Sequence, residues 1–212
     1  MLADTPEAEL RTHLIPLVIV GVIGAAIGGW HVWAGGTPLP AWWPWLMYYA
    51  ALGLLLFGCS SLYHLAKVDL PQGGGNDPPR VVSMNKLDHT GIHVMIAGTG
   101  TLHMAILPSI KASWVPYLLV ALWALAAIGV AYRFRVGNNV NKLFMGAVYA
   151  VMLLMILLSI SGQHLWAGPM CFMYAALAVY GASFYAFMKK RHVLWHVGGV
   201  IAYVLAGVPI IL

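Results

Sequence analysis

The chain has 212 residues, of which 8% are charged and 61% hydrophobic, and its mean hydropathy of +0.83 is far above that of soluble domains. This composition excludes a water-soluble fold and, at about 20 residues per membrane span, leaves no room for a sizeable soluble domain. The net charge of +5 does not indicate nucleic-acid binding, because the basic residues stand singly or in short clusters beside apolar segments.

Seven apolar segments follow a polar N-terminal tail, residues 1–13. The tail lacks the basic start and the small-residue cleavage site of a signal peptide, so we expect the first segment to be retained. The segments cover about 14–35, 43–66, 86–108, 114–134, 142–161, 169–188 and 192–212. Each is long enough to cross a bilayer, so the sequence predicts an all-α integral membrane protein with a seven-helix transmembrane domain over residues 14–212.

Positive charge predicts the orientation of these spans, because Lys and Arg accumulate in cytoplasmic loops. Of the 11 basic residues, only Lys111 falls on the side opposite the N-terminus. The others are Arg11, Lys67, Arg80, Lys86, Arg133, Arg135, Lys142, Lys189, Lys190 and Arg191. Most of the nine Trp residues fall at the opposite ends of the spans, where indoles favour the headgroup region. We therefore expect a cytoplasmic N-terminus and an external C-terminus.

The two cysteines, Cys59 and Cys171, both lie inside apolar segments. This position is not typical of the disulfide framework of a secreted scaffold. We expect both to be buried thiols.

Four titratable residues lie near the predicted cytoplasmic ends of the spans. His64 is in the last turn of span two, Asp88 in the first turn of span three, and His192 and His196 begin span seven. Titratable groups in a span are costly in lipid and usually mark function. Residues four apart share a helix face, so His192 and His196 can turn toward one point, and His64 would complete a three-histidine zinc site with an open fourth position.

Each of these residues also has a structural interpretation. The three histidines can extend toward cytoplasmic water. Asp88 can pair with Lys86 or Arg80, or favour a helix N-terminus as a carboxylate. Ser60, one turn before His64, can bond its own helix backbone.

The remaining histidines are weaker candidates. His89 and His93 form a second pair four residues apart on span three and compete for the metal. We expect a structural or solvated role for His13, His31, His103 and His164.

Three motifs resemble those of a known family. They are Ser60-Ser61-Leu62-Tyr63-His64, Leu87-Asp88-His89 leading to Ile96-Ala97-Gly98-Thr99, and His192-Val193-Leu194-Trp195-His196. In this order and on these spans they resemble the hemolysin III proteins, the bacterial branch of the progestin and adipoQ receptor (adiponectin receptor-like) family. The resemblance covers essentially the whole chain.

The resemblance implies a Zn²⁺ ion held by His64, His192 and His196 in the inner membrane of a bacterium. It places Asp88 close to the water on the metal and Ser60 in the same cavity, which makes these two the candidate catalytic residues. Alkaline ceramidases belong to the wider superfamily, and adiponectin receptors are associated with ceramide hydrolysis. The resemblance therefore implies an intramembrane hydrolase that takes a ceramide-like lipid amide from the cytoplasmic leaflet.

The chain departs from the family pattern at two places on span three. The family often continues Gly-Thr as Tyr-Thr-Pro, whereas here Gly100, Thr101 and Leu102 follow, so the expected proline kink is missing. His93 stands where the family commonly has an aromatic residue. Without the proline, the outer half of span three can differ in shape from that of the family. With a histidine at position 93, the surroundings of the metal can differ as well.

Three other functions compete with hydrolysis. A signalling or membrane-homeostasis protein would use zinc only to join spans two and seven. A pore-forming cytolysin is disfavoured, because the apolar spans predict permanent insertion and no export signal is evident. An ion transporter needs a polar path through the outer half of the bundle, where Thr99, Thr101 and His103 are the only candidates.

Overall fold

The structure, a computed structural model, describes residues 5–33, 41–68, 77–106, 113–137, 139–160 and 170–210. These residues form seven α-helices and, after the last, a short 3₁₀ turn (Val208–Ile210), with no strand among them. The helices are α1 (Pro6–Trp33), α2 (Trp43–Val68), α3 (Pro79–Ile106), α4 (Val115–Val136), α5 (Lys142–Ile160), α6 (Met170–Met188) and α7 (His192–Gly207). The prediction of an all-α seven-helix bundle is confirmed.

Helix α1 begins at Pro6, about two turns before the predicted start of the first span. The Thr5 hydroxyl accepts a hydrogen bond from the Ala8 amide at 3.2 Å, and Pro6 occupies the first helical position, where a missing N–H has no cost. Glu7 and Glu9 in the first turn favour the helix N-terminus electrostatically. Residues 6–13, predicted as tail from their polarity, are therefore helical, which brings Glu9 and His13 into the bundle.

Five of the helices are long and apolar enough to cross a membrane. These segments are Trp43–Val68, Val115–Val136, Lys142–Ser159, Cys171–Met188 and His192–Ile210. Large apolar side chains such as Val22, Tyr117 and Val204 are exposed on the outside of the bundle, which suits contact with lipid acyl chains. The side of the membrane on which the termini lie remains a prediction.

Helix α3 occupies the middle of the bundle, packed against α2, α4 and α5. Its Ala97 and Leu102 are fully buried, as are Leu122 of α4 and Met152 of α5. A helix enclosed by protein needs no apolar outer surface, which explains why α3 carries more polar residues than its neighbours. The helix continues from Pro79 to Ile106, so the segment without the family's proline stays helical.

The two cysteines differ in burial. Cys59 on α2 is half-buried, whereas Cys171 at the start of α6 is exposed. The expectation of a buried thiol is therefore wrong for Cys171. An apolar segment predicts an apolar environment, but in a membrane protein that environment can be lipid as well as the protein interior.

A reciprocal tyrosine pair joins α2 to α7. The Tyr49 hydroxyl donates to the Tyr203 carbonyl at 2.7 Å, and the Tyr203 hydroxyl donates to the Tyr49 carbonyl at 3.1 Å. The two rings stack with centroids 4.6 Å apart and planes 5° from parallel. This pair holds together the two helices that carry His64 and His196.

Candidate metal centre

Three histidines from three helices converge near the end of the bundle where α2 ends and α7 begins. Helices α1, α2 and α7 are mutual neighbours, and they bring His13, His64 and His196 together. Their potential ligand atoms all lie within 4.8 Å of one another. The His13 and His64 rings stack with centroids 4.8 Å apart, and the His196 ring stands edge-on to both, at 4.1 Å from His13 and 5.0 Å from His64.

Four of the six ring nitrogens of this cluster are buried without a hydrogen bond among the described residues. His13 is 5% exposed and His64 is 2% exposed. Among the described residues, none forms a hydrogen bond with Nδ1 of His13, with either ring nitrogen of His64, or with Nε2 of His196. A buried polar atom without a partner costs about 1–3 kcal/mol, so this arrangement is costly unless something binds these nitrogens. The residues present fit a divalent metal ion, for which neutral imidazoles are common ligands.

Glu9 on α1 lies beside the cluster and is also buried, with 8% exposure. Its Oε2 is 3.2 Å from Nδ1 of His64 and 3.9 Å from Nζ of Lys67. The contact with His64 has the distance of an ion pair but not the geometry of a hydrogen bond. The Glu9 carboxyl group thus lies between the His64 imidazole and the ammonium group of Lys67.

Asp88 and Ser60 lie beside this cluster, and their catalytic role stays a prediction. Asp88 is 8% exposed and its carboxylate interacts with the Ser60 hydroxyl. The Ser60 Oγ is also 3.3 Å from Nε2 of His13, so the serine lies between an imidazole and a carboxylate. Because α3 starts at Pro79, Asp88 belongs to its third turn, which argues against the alternative of a carboxylate at a helix N-terminus. Within the described part of the chain, Asp88 forms no ion pair with Lys86 or Arg80, whereas Glu9 pairs with His64 and Lys67.

The third predicted ligand, His192, lies beside this cluster. It is the first residue of α7, its ring centroid is 6.4 Å from that of His196, and it packs edge-on against Phe187 at 5.4 Å. Two imidazoles on one tetrahedral ion with Zn–N bonds of about 2.0–2.1 Å have ring centroids about 5 Å apart. His13 therefore closes the three-imidazole group in this structure, and the assignment of His64, His192 and His196 as the ligand set remains a prediction.

Two cavities meet at the cluster. The first, of about 140 Å³, is mostly apolar and extends along the helices past Leu56, Met95 and Ile156. The second, of about 100 Å³, has more polar lining residues, including Lys67 and Lys142. The two cavities share four lining residues, which are Asp88, Ile92, Trp195 and His196. The junction of an apolar and a polar chamber thus lies at the titratable residues.

The competing pair on α3 contacts its own helix and α5, although His89 also lines the space beside the three-imidazole group. His93 is fully buried, and its Nδ1 lies 2.7 Å from the carbonyl oxygen of His89. The Nδ1 of His89 is 3.5 Å from the Tyr149 hydroxyl on α5. Neither belongs to the histidine group within the described part of the chain.

Of the remaining histidines, the structure describes the side chain of His103 but not those of His31 and His164. His103 is structural, as expected, because its Nε2 lies 3.1 Å from the Ala206 carbonyl oxygen and links α3 to α7. The side chain of His31 and all of His164 lie outside the described residues.

Sequence reasoning missed His13 and Glu9 as parts of the site. Both precede the first apolar run, and their polarity therefore predicts a tail. Two local signals could have placed them: Thr5-Pro6 is typical of a helix start, and Glu9 and His13 are four residues apart, which puts them on one helix face.

The fold and this cluster define a multi-pass helical membrane protein with a group of three histidines that can hold a metal ion. The model of the family described as "Haemolysin-III related" matches residues 3–207, nearly the whole chain. The chain belongs to this family, which is part of the progestin and adipoQ receptor group. The resemblance inferred from the three motifs is therefore confirmed. No solved structure matches the chain.

Proposed function

We propose that this protein is a zinc-dependent intramembrane hydrolase acting on a ceramide-like lipid amide. The observation that carries the proposal is the convergence of buried imidazoles with unbonded nitrogens at the junction of two cavities, beside a buried carboxylate. Perturbed or unpaired titratable groups in a cavity are typical of catalytic sites. Membership of the haemolysin-III related family is consistent with this function.

His64 and His196 are the proposed ligands on which motif and geometry agree. The third is His192 by the sequence motif or His13 by proximity. Three neutral imidazoles with a fourth position left open form the typical ligand set of a catalytic zinc site. When bound, zinc would lower the pKa of a coordinated water to about 7 and polarise the amide carbonyl.

Asp88 is proposed to handle the proton of the reaction. Hydrolysis adds the hydroxyl of water to the acyl carbon, breaks the carbon–nitrogen bond and gives a carboxylic acid and an amine. The Asp88 carboxylate lines both cavities, so it can accept a proton from the attacking water and pass it to the leaving nitrogen. Ser60 interacts with Asp88 and can orient this carboxylate.

The two cavities suit the two ends of an amphiphile. The apolar cavity, lined by residues such as Phe57 and Met173, can take an acyl chain. The polar cavity, with Lys67 at its edge, can take the head group. We infer that the protein lies in the inner membrane of a bacterium and that the substrate enters from the cytoplasmic leaflet, in line with the positive charge near this end of the bundle.

The proposal is tested by incubating purified, zinc-loaded protein in nanodiscs with ceramides and other long-chain lipid amides and measuring release of fatty acid and amine. We expect turnover by the wild type and none above background by His196→Ala, which removes a proposed ligand. Equal rates for the two proteins across the whole panel would overturn the hydrolase proposal.

The second candidate function is a structural role of the metal ion. The three imidazoles favour this role because each comes from a different helix. Because they come from α1, α2 and α7, one ion would join three helices that are distant in sequence. Asp88→Asn separates the two functions, since it keeps the size of the side chain but removes the negative charge. A hydrolase should lose at least 100-fold in kcat with unchanged zinc content, in keeping with the usual contribution of acid–base groups of about 10²–10⁴-fold. A purely structural metal site should respond only in thermal stability.

A further inference from the structure

We propose that Glu9 is a positioning residue that orients His64 toward the metal ion. This inference rests on the proposed metal site but does not depend on hydrolysis. Glu9 belongs to none of the three family motifs, and its contact with His64 is between residues of α1 and α2 that are far apart in sequence.

Glu9 places a carboxylate oxygen at ion-pair distance behind the imidazole of a proposed metal ligand. Such a histidine usually gives its second ring N–H to a carboxylate, carbonyl or water, which fixes the ring orientation and makes the other nitrogen more basic. Oε2 of Glu9 lies 3.2 Å from Nδ1 of His64, and Nε2 of His64 is buried without a hydrogen bond among the described residues. With Nδ1 facing Glu9, the lone pair of Nε2 is left to face the ion.

The alternative is that Glu9 serves an ordinary surface ion pair with Lys67. The distances and the burial disfavour it: Lys67 Nζ is 3.9 Å from Glu9, and the Lys67 side chain is 33% exposed. The side chains of His64 and Glu9 are only 3% and 10% exposed. Exposed ion pairs contribute little, whereas a contact between buried groups is weakly screened by solvent.

The position of Glu9 on α1 supports the same role. Glu9 and His13 are four residues apart and therefore share the helix face that packs on α2 and α7. His13 stacks on the His64 ring at 4.8 Å while Glu9 contacts its Nδ1. Helix α1 thus restrains His64 both at the ring face and at the ring edge.

The test measures zinc affinity by competition with a chelator, using the full-length protein in nanodiscs. We expect Glu9→Ala to weaken zinc binding about 10–100-fold, the usual effect of losing such a partner. Glu9→Gln should lose less, because its amide oxygen would still face Nδ1 from the position of the carboxylate oxygen. Glu7→Ala is the matched control, since Glu7 lies in the same helix turn but is exposed, and it should bind zinc like the wild type.

Cobalt substitution and one further variant separate positioning from general stability. The visible absorption bands of bound Co²⁺ should shift in Glu9→Gln and not in Glu7→Gln, because only the former changes the donor strength of His64. Lys67→Met should change zinc affinity much less than Glu9→Ala, because Lys67 is the more distant and more exposed partner of Glu9. An affinity loss in Lys67→Met equal to that of Glu9→Ala would overturn the proposal, as would unchanged affinity and spectrum in both Glu9 variants.

The same measurements show whether a negative result concerns only the role of Glu9 or the metal site as a whole. If the wild type binds zinc and the Glu9 variants match it, only the role of Glu9 is wrong. If the wild type binds no zinc, both proposals fail. Should Glu9→Ala not fold, the isosteric Glu9→Gln still decides the question through affinity and spectrum.

Discussion

His64 is the residue that connects every part of the candidate site. It stacks on His13, meets His196 edge-on, contacts Glu9 through Nδ1 and lines the polar cavity. At 2% exposure its ring nitrogens are shielded from water, so a bound ion would satisfy atoms that otherwise destabilise the fold. Metal binding and stability should therefore be coupled at this residue.

Replacing either His64 or His196 with alanine should abolish stoichiometric zinc binding. A three-imidazole site that loses one nitrogen donor retains two, which is too few for tight binding of zinc. The measurement is zinc content per protein by atomic emission after purification in zinc-containing buffer. His103→Ala is the control, because His103 is equally buried but its ring nitrogens lie beside carbonyl oxygens of α3 and α7. Retention of zinc by both ligand variants would refute the metal site.

The third ligand is decided by comparing His192→Ala with His13→Ala. We expect His192→Ala to release zinc, because residues four apart on α7 can turn toward the same ion and because His13 already faces the Ser60 hydroxyl. His13→Ala should retain zinc with weaker affinity. The opposite result, release only in His13→Ala, would make the group seen in the structure the ligand set.

Part of this site could be predicted from single residues. His64, Asp88 and His196 are titratable residues in apolar segments at similar predicted depth, and the cost of such groups in lipid indicates function. Glu9 and His13 could not be selected in this way, because outside an apolar run a titratable residue is unremarkable. Only the packing of α1 against α2 and α7 gives them their neighbours.

At the scale of helices, the tyrosine pair Tyr49–Tyr203 determines how closely α2 approaches α7. The close approach needs Gly53, since a Cβ atom at that position would overlap the Tyr203 hydroxyl. Gly207 plays the same part for the Tyr49 ring, where a Cβ would lie 2.9 Å from Cε1. Small residues at such contacts are the usual means by which helices in membranes pack closely.

Gly53→Ala should destabilise the bundle by about 1–3 kcal/mol, the usual cost of overpacking, despite the better helix propensity of alanine. It should also weaken zinc binding, because displacing Tyr203 shifts α7 relative to α2. Thermal unfolding in detergent, followed by tryptophan fluorescence, measures the first effect. Gly181→Ala on α6 is the matched control, since a Cβ there meets no described atom within 4 Å, and it should be neutral or stabilising. Equal melting temperatures would contradict the tyrosine contact.

The turn between α6 and α7 places His192 at the start of its helix. The Lys190 amide donates to the Phe187 carbonyl and the Arg191 amide to the Ala186 carbonyl, both at 2.9 Å. Lys190 takes a left-handed conformation with φ of 59°, the usual geometry of this helix-ending motif. Glycine is the common residue there, and the sequence offers lysine instead, which gave no local signal for the turn.

At the scale of the whole molecule, large apolar side chains cover much of the outside, whereas the titratable residues of the candidate site face inward. Val120 and Leu143 are more than two-thirds exposed, at 71% and 74%, whereas Asp88 is 8% exposed. This distribution suits a lipid environment and leaves the polar chemistry to the interior. Lys and Arg near the ends of the helices then decide the direction of insertion.

A C-terminal fusion should report the topology directly. Because ten of the 11 basic residues fall on the N-terminal side of the predicted spans, we expect alkaline phosphatase fused after Leu212 to be active outside the cytoplasm. A fluorescent protein that folds only in the cytoplasm should be bright at the N-terminus and dark at the C-terminus. The reverse pattern would invert the topology and place the candidate site at the outer leaflet.

The sequence by itself determined the number of helices, their apolar character, the family and the three motifs, because hydrophobicity and motif spacing are local properties of the chain. The tertiary structure alone decided which imidazoles meet. It brings His13 and Glu9 to His64, leaves His192 beside the group, and turns His89 and His93 toward α4 and α5. The reason is physical: the neighbours of a side chain depend on the rotation and depth of each helix in the bundle, which are set by close contacts such as Gly53 against Tyr203 and not by any single segment.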